Sequence, residues 1–233
     1  MPNRYILEIS VESVEAASAA GRGGAQRIEF CSNARDGGTT PSAELLREVR
    51  ERLRLPILSM VRPRGGNFVY SDDEFAAMQQ DLEMAKRMRM DGVVLGLLDT
   101  DGQVDIERTR QLVEQAKPLE VTYHRAFDDC ADLRKALEDV IETGATRLLT
   151  SGGKKTAPEA LEVLGDLVRI AGERIIVMPG SGLHAGNIRE TVAKTGAREY
   201  HAGLSSVISD PGDELQAFEA EVSKLAGALR DCD

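Results

Sequence analysis

Cysteine is scarce in this chain: Cys31, Cys130 and Cys232 are odd in number and far apart among 233 residues. That pattern does not suggest a disulfide framework and fits a reducing compartment, so a cytoplasmic location is expected. No apolar run approaches the length needed to cross a bilayer. Residues 1–10 carry no basic leader ahead of an apolar stretch and read instead as the start of a strand. Positive charge is also short, with 29 Lys and Arg against 39 Asp and Glu, a formal net charge of −10. This balance argues against general nucleic-acid or membrane binding, so any anion site has to be a local cluster of cations and backbone N–H groups. Pro/Ser-rich linkers and low-complexity segments are missing as well, and 1–233 is expected to form one domain.

What is there is a unit repeated eight times. Short β-rich runs fall at 5–10, 26–31, 57–61, 92–96, 120–124, 147–150, 175–178 and 199–201. Segments of helical period lie between them, such as Phe75, Met78, Leu82 and Ala85 on one helix face. Ser71 with Glu74 three residues on has the form of a capping box, and Thr156 precedes Pro158 near another first turn. Gly92, Gly144 and Gly196 stand before strands, where a positive φ is often needed. Strand starts recur about every 28 residues, the length of a βα unit in an eight-fold barrel. The fold class expected is therefore α/β, a TIM (β/α)8 barrel, and the competing arrangement is an open doubly wound sheet.

In a barrel, chemistry gathers where strands end. Side chains alternate along a strand, so Glu8 with Ser10, Glu29 with Cys31, Thr122 with His124 and Glu199 with His201 share faces. Leu7, Ile9, Ile28, Phe30, Val121, Tyr123 and Tyr200 take the opposite face and suit packing under helices. The acids and histidines then point into the barrel, where isolated charges cost several kcal/mol unless they serve a purpose. Glu8 and Glu29, on consecutive strands, could share a proton, bind a cation or pair with arginine. Arg62, ending the third strand, is a candidate partner for Glu29. Glu8, Glu29, His124 and Asp128 are candidate catalytic groups, a strand-end histidine held by an acid being able to move a proton.

Three glycine-bearing loops, TSGG (150–153), MPGSG (178–182) and HAGLSS (201–206), follow the last three strands. The later two occupy the usual phosphate position of such barrels. Ser151, Gly152, Gly153, Gly180, Ser181, Gly182 and His201 are therefore candidate ligand contacts, with the helix after Gly182 expected to add its positive end. Arg62 and Arg64, separated by Pro63 and followed by Gly65 and Gly66, could fork onto carboxylate or phosphate oxygens, or neutralise Glu8 and Glu29.

IEFC (28–31), DGGTTPS (36–42), VRPRGGNFVYSDDEF (61–75), GVVLGLLDTDGQVD (92–105), TYHRAFDDC (122–130), LLTSGG (148–153) and MPGSGL (178–183) occur in this order. Together they closely resemble the CutC family, from Leu7 to about His201. The resemblance implies a single cytoplasmic TIM barrel, often dimeric, named for copper homeostasis, with Cu(I) binding through cysteine. It marks Glu8, Glu29, Cys31, Arg62, Arg64, His124, Arg125, Asp128 and Ser151 as family-motif positions. After His201 the chain departs from that pattern, passing quickly through 202–214 into its last helix.

Cu(I) is soft and prefers thiolates or thioethers, which makes Cys31 and Cys130, both near the expected functional rim, the candidate metal ligands. There is no CxxC and no methionine-rich cluster. From the residues alone copper is the weaker reading, raised by the family resemblance; paired acids, a histidine, arginines and glycine loops look more like the site of an isomerase, lyase or hydrolase acting on a phosphorylated or carboxylated small metabolite. Lysine is missing from the strand ends, which argues against Schiff-base chemistry. The expected partner is a small anionic ligand or a copper ion.

Overall fold

A computed structural model describes residues 4–204, 208 and 214–232. Its strands are β1 (Ile6–Val11), β2 (Arg27–Phe30), β3 (Ile57–Met60), β4 (Gly92–Leu95), β5 (Glu120–Tyr123), β6 (Arg147–Thr150), β7 (Ile176–Pro179) and β8 (Glu199–Ala202). They alternate with α1 (Val14–Gly23), α2 (Ala43–Arg52), α3 (Asp72–Arg87), α4 (Ile106–Ala116), α5 (Leu133–Thr143), α6 (Leu161–Ala171), α7 (Ile188–Thr195) and α8 (Leu215–Arg230). The strands pair in the order β7-β6-β5-β4-β3-β2-β1-β8, and every pairing is parallel. A parallel bridge between Gly180 and His201 joins the two ends of the sheet. The sheet thus curls into a TIM barrel rather than lying open between two helix layers.

Alternation along the strands sorts the side chains as the sequence pattern predicts. Leu7, Ile9, Ile28, Phe30, Val121, Tyr123 and Tyr200 join Ala17, Leu46, Met78, Leu82, Leu112, Leu137, Leu164 and Phe218 in the core between strands and helices. Each large side chain buried there contributes about 1.5–3 kcal/mol. A separate, small apolar cluster of Cys31, Leu58, Met60 and Val94 occupies another part of the molecule, on the opposite strand faces. Much of the remaining barrel interior is charged.

Local signals mostly meet their expected partners. Ser71 and Glu74 form both halves of a capping box at the start of α3. Gly144 and Gly196 adopt the left-handed conformation after α5 and α7, with φ of 84° and 67°. Gly92 does not: it opens β4, and a Cβ there would lie 2.8 Å from the Glu120 carbonyl oxygen and from Leu58 Cγ. The positive φ in that connection is carried by Arg89 instead, at 58°. Thr156 heads a short 3-10 turn (Ala157–Ala160) without capping it, its hydroxyl donating to Glu159 at 2.6 Å. No helix among the described residues is long and apolar enough to cross a membrane.

Candidate metal and acid–base site

The register of three neighbouring strands builds the site. Glu8 of β1 stands opposite Arg27 of β2 on one side and His201 of β8 on the other, while Ser10 stands opposite Glu29. Arg27 Nε donates to Glu8 Oε2 at 2.5 Å, and His201 Nδ1 lies 2.8 Å from Glu8 Oε1. The Ser10 hydroxyl donates to Glu29 Oε1 at 2.8 Å. Glu29 Oε2 is buried and has no hydrogen-bond partner among the described residues. One donor atom each from Glu8, Glu29 and His201 lie within 4.8 Å of one another, the arrangement of a metal site.

Charge settles the protonation pattern. Burial alone would raise the Glu8 carboxyl, but the His201 hydrogen bond and the Arg27 charge outweigh it and hold it at about 2. Burial raises Glu29 above the ordinary carboxylate range, with neighbouring Glu8 acting in the same direction. Burial works against a charged His201, yet Glu29 and Glu8 prevail and raise it above its usual value. The cluster therefore favours an ionised Glu8, an imidazolium at His201 and a proton retained on Glu29 to higher pH than usual.

Below this cluster runs a chain of alternating charge that the sequence reading missed. Arg27 Nη2 donates to Glu199 at 2.5 Å, Arg147 Nε donates to the same Glu199 oxygen at 2.6 Å, and Arg147 Nη2 reaches Glu120 at 3.1 Å. Arg27 and Arg147 are almost wholly buried, whereas Glu120 opens to solvent where β5 begins. Both arginines were legible by parity: Arg27 lies two residues before Glu29, and Arg147 opens β6 opposite Thr122.

Arg62 and Arg64 do not neutralise the two acids. Arg62 donates to the backbone carbonyls of Asp36, Gly38 and Gly66 at 2.8, 3.0 and 2.8 Å. Arg64 pairs with Glu74 at 2.5 Å and with the carbonyls of Gly65, Asn67 and Val69. The physical reason is position: Arg27, inside β2, reaches Glu8 across one strand spacing, while the two arginines beyond β3 are captured by nearby turns. His124 is likewise apart from Glu8 and Glu29, with no hydrogen bond to either. Its Nδ1 accepts the Ala126 N–H at 3.1 Å, and its ring packs 4.9 Å from that of Phe68. Burial, assisted by the Arg62 charge, lowers its pKa to about 3, so it is neutral at physiological pH.

Asp128, expected as a catalytic acid, organises a loop. Its carboxylate accepts the Thr150 hydroxyl at 2.5 Å, the Ser151 N–H and hydroxyl at 3.0 Å, the Gly153 N–H at 2.9 Å and Arg125 Nε at 2.8 Å. The anion-binding groups of the TSGG loop are thus already filled by an anion from the chain itself. Gly152 donates to Thr150 Oγ1 and the Ser181 hydroxyl to Lys155 O. Gly180 is required by close approach, since a Cβ there would lie 2.4 Å from Leu149 Cδ1. No helix opens directly on Gly182, because α7 begins only at Ile188. Residues 205–206 of the HAGLSS loop lie outside the described residues. Asp128→Ala should strand these donors and cost about 1–3 kcal/mol. The readouts are a lower thermal midpoint and faster tryptic cleavage after Lys154 or Lys155; unchanged cleavage would remove the organising role.

The thiols are placed apart. Cys31 packs inside the barrel, 3.8 Å from Ser10 Oγ, and burial pushes it up to about 12. Cys130 belongs to the core under the helices, where burial and neighbouring Asp129 push it up to about 11. The group of possible metal donors found among the described residues holds neither cysteine.

The fold and this cluster define a TIM-barrel protein with a buried carboxylate–imidazole site on β1, β2 and β8. Thiamine phosphate pyrophosphorylase from Pyrococcus furiosus shares the fold, at TM-score 0.66 and 19% identity, over 99% of this chain and 98% of that one. A model of the CutC family matches residues 5–206. A family protein CutC of Chromobacterium violaceum is 50% identical over 204 residues, 88% of this chain and 83% of its own length. The human copper homeostasis protein cutC homolog is 43% identical over 204 residues, 88% and 75% of the two chains. The crystal structure of CutC from Streptococcus agalactiae superposes with TM-score 0.81 at 31% identity, covering 85% of this chain and 98% of that one. The chain belongs to the CutC family.

Proposed function

We propose that this CutC-family protein serves copper homeostasis by holding a metal ion inside its barrel, at Glu8, Glu29 and His201. The carrying observation is the convergence within 4.8 Å of one donor atom each from Glu8, Glu29 and His201, beside a Glu29 oxygen, Oε2, that is buried with no hydrogen-bond partner among the described residues. Two carboxylates and an imidazole suit Cu(II) or another borderline divalent ion, whereas Cu(I) prefers sulfur. Cys31 stands beside this set through Ser10; Cys130 has no comparable link to it. Glu29 and His201 would have to release protons to act as ligands, so binding strengthens as pH rises.

Competition against a chromogenic chelator tests this, with Cu(II) in air and Cu(I) under reducing conditions. The wild type is expected to bind Cu(II), Glu29→Gln to weaken it by roughly tenfold or more, and Cys31→Ser to leave it unchanged. Loss of Cu(I) binding in Cys31→Ser/Cys130→Ser, with Glu29→Gln unaffected, would move the site to the thiols. Binding of neither ion would sink the proposal.

A second reading is acid–base catalysis on a small carboxylated or phosphorylated metabolite, as an isomerase, lyase or hydrolase. It is favoured by the adjacency of an imidazolium and a proton-retaining carboxyl at His201 and Glu29. The phosphorylated class has less support, because Asp128 fills the N–H groups of the loop after β6.

A further inference from the structure

Arg62 is 3% exposed, yet it makes no salt bridge among the described residues; its terminal nitrogens donate to three backbone carbonyls. A buried guanidinium without a counter-ion is costly, and buried charges are ordinarily paired. Of its two further N–H groups, the one at Nε is buried and without a hydrogen-bond partner among the described residues. His124 presents the same situation. Because Nδ1 accepts the Ala126 N–H, the single proton of the neutral ring sits on Nε2. Nε2 is buried and has no hydrogen-bond partner among the described residues.

The two groups flank one side chain: the Phe68 ring centroid is 4.8 Å from Arg62 Cζ and 4.9 Å from the His124 ring centroid. Gly96 of the intervening segment leaves the space that His124 occupies, since a Cβ there would lie 2.5 Å from His124 Nδ1. The Tyr70 hydroxyl, also buried, lies close enough to Arg62 for the guanidinium to act on it by charge and by hydrogen bonding, both opposing the upward shift that burial imposes. Native proteins leave few buried polar atoms unpaired, and here two belong to side chains packed on the same Phe68 ring.

We infer that Arg62 Nε–H and His124 Nε2–H form a receptor for the carboxylate of a small organic acid, over which Phe68 closes. Charge calls for an anion, because the guanidinium has no carboxylate of its own. The neutral imidazole adds a directed N–H without a second positive charge. Two donors on separate side chains match the two oxygens of a carboxylate. This subsite is distinct from the Glu8, Glu29 and His201 cluster and stands whether or not that cluster holds a metal.

The test is titration of the metal-free full chain with sodium formate and sodium acetate at constant ionic strength. Sodium chloride and inorganic phosphate serve as comparison anions. Two readouts are followed, the thermal midpoint and the ¹⁵N resonances of the His124 ring. Formate or acetate should raise the midpoint saturably and shift His124 Nε2, while chloride and phosphate do neither. Arg62→Lys and His124→Phe should each weaken carboxylate binding by roughly tenfold or more. Phe68→Ala, which removes the covering ring but neither donor, should retain binding. Should both donor variants fail to fold, the wild-type ¹⁵N shift and the Phe68→Ala titration decide. A wild type on which neither carboxylate acts saturably overturns the inference. So does wild-type affinity in a folded donor variant, or phosphate binding in preference to carboxylate.

Discussion

Arg27→Met is expected to lower the unfolding free energy by about 3–5 kcal/mol, the cost of leaving buried acids without their cation. Arg27 bridges Glu8 and Glu199 at 2.5 Å each, with side-chain exposures of 7% for the arginine, 0% for Glu8 and 11% for Glu199. His201 and Arg147 remain as partners of the two acids, so the loss stays within that range rather than being the sum of both contacts. Folded domains are stable by only about 5–15 kcal/mol, so the variant approaches unfolding. Arg27→Met/Glu8→Gln should recover much of the loss, because an uncharged pair no longer carries the desolvation penalty. Arg22→Ala provides the contrast: its pair with Glu219 is 59% and 34% exposed, and loss of it should cost less than about 1 kcal/mol. Urea denaturation decides, read as a midpoint change at constant slope. If Arg27→Met costs no more than Arg22→Ala, the buried charge chain is not what holds the barrel interior together.

His124→Gln is expected to flatten part of the protein's acid sensitivity. Burial, with Arg62 nearby, depresses the His124 pKa from 6.5 to about 3. The folded state therefore refuses a proton that the unfolded chain accepts. For a depressed histidine the stability contribution is complete above pH 6.5 and is lost as pH falls toward 3. One proton changes stability by about 1.4 kcal/mol per pH unit, or about 2 kcal/mol between pH 6.5 and 5. Glu8 acts later: held at about 2, it contributes fully above pH 4.5 and loses that contribution as pH falls toward 2. His201 has the opposite sign, since its raised pKa stabilises below pH 6.5 and that contribution fades as pH rises through its folded value. Glu29, also raised, favours the fold on acidification below its folded pKa. The wild-type curve mixes these effects, so the measurement is the difference between wild type and His124→Gln. It should be flat above pH 7 and shrink from pH 6.5 downward. A difference that is constant to pH 5 contradicts a buried neutral His124.

Much of this architecture is readable in one dimension because its causes are local. Period-two alternation at Leu7–Glu8–Ile9–Ser10 separates the two strand faces, and the same rule puts Glu29, Thr122 and His201 inside. All eight expected strands begin and end within one residue of the observed ones, as at 120–124 against Glu120–Tyr123. The capping box at Ser71 and the left-handed glycines at 144 and 196 follow from side-chain chemistry within a few residues. Parity also assigned Glu8, Glu29 and His201 to one interior, and the register of β1, β2 and β8 brings them together.

Pairings between charges were not legible, because they depend on which long side chain arrives first. The sequence places Arg62 at a strand end and leaves its partner open; the fold sends it to the carbonyls of two turns and gives Glu8 to Arg27. It places Asp128 near a glycine loop; the fold turns that carboxylate back onto Ser151 and Gly153, removing an apparent phosphate cradle. It places Cys31 and Cys130 near one rim; the fold sorts them into separate packed clusters. By itself the sequence determined the eight-fold alternation, the two strand faces and the identity of the interior acids and histidines, since backbone geometry and side-chain polarity act over a few residues. Only the tertiary structure decided which charges meet and which donors stay unpartnered, because flexible side chains compete for partners through space, and strand register and loop path determine who is within reach.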